Sequence, residues 1–76
     1  MAVVSYKGID VVAYTEDGVV QLVKSRKIVF EQDLAAHIKG MSTDDAENCL
    51  IRAGVVLADE YLDGSLSDMQ ELEPWE

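Results

Sequence analysis

The chain predicts a small α+β domain. It reads as an antiparallel meander of three or four strands over residues 2–31, then two or three helices over 31–39, 43–62 and 66–73 packed on one face of the sheet. Three observations carry the prediction. The first thirty residues alternate short runs rich in Val, Ile, Tyr and Phe with tight-turn signals. Beyond residue 43 the apolar spacing changes from two to three and four. Where the spacing changes, the chain carries helix punctuation: Gly40, then Ser42-Thr-Asp-Asp45.

The elements follow in order. Ala2–Tyr6 is the first run, ended by Lys7-Gly8. Ile9–Tyr14 runs into Thr15-Glu-Asp-Gly18, where Asp-Gly signals a hairpin. Val19–Val23 is followed by Lys24-Ser-Arg-Lys27, and then by Ile28–Glu31. Short connections make each strand pair with its neighbour in sequence. The central runs are apolar on both faces. Ile9, Val11 and Ala13 share one face and Val12 and Tyr14 the other, while Val20 and Leu22 oppose Val19 and Val23. Such a sheet needs cover on both sides, and the helices of a small domain supply only one.

Asp33–Lys39 reads as a short helix closed by Gly40. Ser42-x-x-Asp45 approximates a capping box for the main helix. Ala46, Cys49, Leu50, Ala53, Leu57 and Tyr61 form its apolar stripe, and Leu62-Asp63-Gly64 is its stop. Gly54 lies inside that helix at a propensity cost of about 1 kcal/mol, which suggests close packing against the sheet or the short helix. A last short helix carries Leu66, Met69 and Leu72, and ends at Pro74 with Trp75 as an anchor.

With 76 residues, positions 1–76 form one domain. No apolar run approaches the roughly 18–20 residues of a membrane span. The N-terminus lacks the basic-then-apolar pattern of a secretory signal, and Cys49 is the only cysteine. A cytoplasmic protein is the expectation. Nothing calls for a cofactor or a metal.

Catalytic chemistry has little to work with. His37 occurs alone beside Ala36 and Ile38, and Cys49 sits on the apolar stripe among acids, the setting of a buried structural thiol. No phosphate loop, Cys-x-x-Cys or His-Glu-x-x-His is present. The expectation is therefore a non-enzyme. Asp59–Ser67 resembles part of an EF-hand calcium loop, with Asp59, Asp63, Gly64, Ser65 and Ser67 on loop positions. Tyr61 replaces an oxygen ligand, however, and Gln70 stands where a bidentate Glu belongs.

Charge is the distinctive signal. Residues 1–40 carry five bases and five acids, whereas residues 41–76 carry ten acids against Arg52 alone, so the net charge of -9 belongs to the second half. Asp44, Asp45 and Glu47 fall in the first turn of the main helix and Asp68 near the start of the next, where negative charge complements the dipole. Asp59, Glu60 and Asp63 fall at a helix C-terminus, and Glu71, Glu73 and Glu76 crowd the next one, where the dipole disfavours them and no base stands one turn away. A cluster that does not serve the fold points to a partner.

The expected function is a non-enzymatic acidic protein-binding module that inhibits or occludes a basic, nucleic-acid-handling protein. It would not bind nucleic acid directly, since phosphates repel it. The contact residues would be Asp59, Glu60, Asp63, Asp68, Glu71 and Glu73, with Tyr61 and Trp75 as aromatic anchors. In size and charge the chain resembles phage-encoded DNA mimics, anti-CRISPR proteins and nuclease immunity proteins. The basic turn Lys24–Lys27 is a weak counter-signal. The alternative is a structural or assembly protein that forms a homodimer or larger array through the sheet, with the acids keeping it soluble.

Overall fold

The computed structural model describes residues 1–65. Four strands, β1 (Ala2–Tyr6), β2 (Ile9–Tyr14), β3 (Val19–Lys24) and β4 (Lys27–Asp33), form one antiparallel sheet in chain order. A single turn of helix, α1 (Ala35–Ile38), precedes the long helix α2 (Thr43–Leu62). The α+β meander therefore forms, with one long helix and one short one among the described residues. The helix expected over 66–73 lies outside them.

The first helix is shorter than the 31–39 expected. Glu31, Gln32 and Asp33 stay in β4 because Gln21, Val20 and Val19 pair with them across the sheet. Helix begins only after Asp33, whose Oδ1 accepts the Ala35 N–H at 2.9 Å. The β2–β3 turn fixes where α1 lies. Gly18 has φ +73, its carbonyl accepts the Leu34 N–H at 2.7 Å, and a Cβ there would stand 2.8 Å from the Ala35 Cβ. Only glycine fits both the left-handed backbone and that contact.

β4 departs from simple alternation. Leu22 pairs with Phe30 and Val23 with Ile28, so Val29 is an extra residue in a bulge. Val29 and Phe30 both pack against the core, while Ile28 is 56% exposed.

α2 has the predicted bounds. Ser42 caps it, its Oγ accepting the Asp45 N–H at 3.2 Å, and Asp44 and Asp45 occupy the first turn. Its buried line is Ala46, Leu50, Gly54 and Ala58, at steps of four, with Cys49, Ala53, Leu57 and Tyr61 only half-buried. The line packs on Ile9, Val11, Val20 and Leu22, all fully buried. Gly54 is the point of closest approach. A Cβ there would collide with Val11 Cγ1 and stand 2.9 Å from Val20 Cγ2. The helix comes this close at Gly54 because glycine has no side chain to hold the two apart, and no polar side chain among the described residues is buried.

The other face of the sheet has no cover among the described residues. By register it carries Val3, Val12, Tyr14, Val19, Val23 and Ile28, interspersed with Ser5, Asp10, Gln21, Glu31 and Asp33. Val12 is 8% exposed and Val3 is 54% exposed.

Candidate functional site

The up-down topology sorts the molecule into two ends. β1 and β3 run toward the Lys7-Gly8 and Ser25-Arg26 turns, and α2 runs the same way, ending at Leu62 beside β1. The C-terminus of α2 thus arrives at the end of the sheet that carries Lys7, Lys24, Arg26 and Lys27.

At that end Asp59 has the structural partners that sequence reasoning did not find. The Tyr6 hydroxyl donates to Asp59 Oδ1 at 2.9 Å, and Lys7 Nζ lies 3.6 Å from the same oxygen. The Lys7 ammonium also stands 5.3 Å from the centre of the Tyr6 ring. Tyr6 and then Asp59 hold the Lys7 pKa above its usual 10.5. Both ionic groups are solvated, so the tie positions more than it stabilises. Its partners are some fifty residues apart, and no i±4 test on the helix could have revealed it.

Lys7, Asp59, Leu62 and Asp63 line an open depression of 460 Å³. Leu62 is 43% exposed in it, and the Asp63 carboxylate has no ion-pair partner among the described residues. Glu60 is exposed on another side of the same turn. Tyr61 points the other way and packs half-buried against the core, which makes it part of the sheet–helix contact. Of the expected contact residues, Asp59, Glu60 and Asp63 therefore share the helix end. Asp68, Glu71, Glu73 and Trp75 lie outside the described residues.

The remaining chemistry is dispersed. His37 is exposed on α1. Cys49, expected to be buried, is half-buried and borders a second open cavity of 430 Å³ with Met41, Asp45, Asn48 and Arg52, which His37 does not line. The likeness to a calcium loop fails on geometry, since α2 continues through Leu62 and Asp59 to Leu62 are helical. No group of three or more His, Cys, Asp or Glu suited to a metal ion occurs among the described residues. No helix among them is long and apolar enough to cross a membrane.

Comparison with protein families, with curated proteins and with solved structures finds no significant match to this chain.

Proposed function

We propose that the chain is a non-enzymatic, acidic protein-binding module that occludes a basic, nucleic-acid-handling protein through the C-terminal end of α2. The depression beside Asp63 carries this reading. An exposed leucine lies in it, and Asp63 offers a carboxylate with no ion-pair partner among the described residues. That combination suits the aliphatic stem and charged head of a lysine or arginine. Asp59 and Asp63 stand one turn apart, about 6 Å along the axis. They present charge at an interval like that of neighbouring backbone phosphates, and the chain's net charge of -9 would steer a basic surface toward them.

The test is capture from a cell lysate by the immobilised protein. Basic nucleic-acid-binding proteins should be retained at low salt and released as salt rises. The variant Glu60→Lys/Asp63→Lys should lose them. Asp59 is left intact because it ties α2 to β1. Capture that ignores both salt and the charge reversal overturns the reading.

A further inference from the structure

The edge of the sheet at β1 is a surface of a different kind, and its evidence is independent of the acidic helix end. Lys7 and Gly8 have φ +51 and +86, so Tyr6 and Ile9 flank a two-residue hairpin turn and exchange both of their backbone hydrogen bonds. The alternation of an antiparallel pair then gives the backbone groups of Ala2, Val4 and Tyr6 to β2. It turns the N–H and C=O groups of Val3 and Ser5 outward, away from β2. Among the described residues, no strand other than β2 pairs with β1.

The two edges of the sheet differ. β4 has features that keep an edge from pairing: it bulges at Val29, and Lys27, Glu31 and Asp33 carry charge along it. β1 is Ala-Val-Val-Ser-Tyr, in unbroken register with β2, with neither a charge nor a proline, and Val3, Val4 and Ser5 are exposed.

Val4 marks where the cover of the helix ends. It lies on the face that α2 covers and pairs with Val11, which is fully buried beneath Gly54. Val4 itself is 38% exposed. An apolar side chain thus stands open beside a row of outward backbone groups, a combination that an added β-strand satisfies.

From these features we infer that β1 pairs with β1 of a second copy, antiparallel, about a two-fold axis at Val4. The strand is self-complementary in this register. Val3 of one copy stands opposite Ser5 of the other, and since both carry outward N–H and C=O groups, they exchange backbone bonds on each side of the axis. Val4 meets Val4 of the second copy as a non-hydrogen-bonded pair, with Cα atoms about 4.5 Å apart, the closer of the two antiparallel spacings. Each then closes the gap that the other's helix leaves. Ala2 meets Tyr6, the smallest side chain of the strand against the largest. The pairing sets no charged side chain of β1 against another, because β1 has none. An unrelated strand would match the backbone groups alone. The joined sheet ends in β4 on both sides, so association closes at two copies and does not grow into a fibre.

Sedimentation and light scattering of the full-length chain across the micromolar to millimolar range test the inference. The seam of five residues is about 17 Å long, short against a standard interface, so a weak dimer is expected. Each copy carries a net charge of -9, so salt should strengthen the dimer by screening, the opposite of its effect on the proposed acidic contact. Val4→Lys and Val4→Glu should each weaken it by about 10-fold, since like charges then face each other across the axis. An equal mixture of those two variants should restore it. Val3→Pro removes an outward N–H while sparing the bonds to β2, and should also weaken it. The circular dichroism spectrum should be unchanged in all three, because both positions are exposed in the single copy. Glu60→Lys/Asp63→Lys should not weaken the dimer, which separates this result from the acidic contact. A chain still monomeric at about 1 mM overturns the inference, whether residues 66–76 or an unrelated strand takes the edge. A dimer that salt dissociates, or one indifferent to Val3→Pro and to both Val4 variants, overturns it too. Failure of the mixture to restore association overturns the register centred on Val4.

Discussion

The two faces of the sheet come from the same strands and nearly the same residue types, yet they have different fates. On one, Ile9, Val11, Val20 and Leu22 lie under α2 and lose all contact with solvent. On the other, Val3 and Ile28 remain more than half exposed. The difference shows that apolar patterning establishes that a face wants cover, while the shape of the covering element decides which face receives it. α2 covers the face on which Gly54 meets Val11 and Val20.

Substitutions on the two faces should separate them. Leu50→Ala, at a fully buried position under the sheet, should lower stability by about 2–4 kcal/mol, read by urea denaturation. Ile28→Ala on the open face should change it by less than about 1 kcal/mol when measured at concentrations where the chain is monomeric. Equal losses would break the comparison.

Gly54→Ala is the next test in size. In an exposed helix this change gains about 1 kcal/mol. Here the added methyl meets Val11 and Val20, so the expectation is a net loss of about 1–2 kcal/mol and a lower Tm. A gain would show that the helix stands further from the sheet than described.

Arg26→Gly sharpens the contrast in the opposite direction. It relieves a left-handed residue and should stabilise the single copy by about 1 kcal/mol. Thermal denaturation should show a higher Tm, and an unchanged Tm would show that the turn holds no left-handed strain at this position.

The smallest effect belongs to Tyr6, Lys7 and Asp59. Tyr6→Phe removes the hydroxyl that donates to Asp59 and should cost up to about 1 kcal/mol. The folded chain raises the Lys7 pKa, so its contribution is fully present below 10.5 and is lost as pH climbs through the raised value. The alkaline limb of a stability–pH curve should therefore be shallower in Asp59→Asn than in the parent.

The legibility of the fold in the sequence follows the range of its causes. α2 was readable at both ends because Ser42 and the Leu62-Asp63-Gly64 stop act on the next few residues alone. The opposite apolar faces of β2 and β3 were readable from alternation. The start of α1 was misplaced because cross-strand pairing to β3 holds residues 31–33 in the sheet. The bulge at Val29 interrupts the period on which the reading depended. The buried line of α2 was only half legible. Gly54 and Ala58 are buried for their smallness, a property that no hydropathy pattern reports.

The candidate site divides in the same way. Asp59, Glu60 and Asp63 stood out by charge at a helix C-terminus, and they do share that end of the molecule. The partners of Asp59 were invisible because Tyr6 and Lys7 reach it only after the sheet and helix have docked.

Because the strand order follows the chain order, each hairpin of the sheet closes between neighbours and can form within about 1–10 μs once its residues exist. Synthesis of the 29 residues from Leu34 to Leu62, which complete α2, takes roughly 1.5–6 s at ribosomal rates of about 5–20 residues per second. During each round of translation the nascent meander therefore carries apolar side chains on both faces for several seconds, with no helix to cover either one. The growing chain is most exposed to chaperones and to sticking in that interval, before α2 has docked.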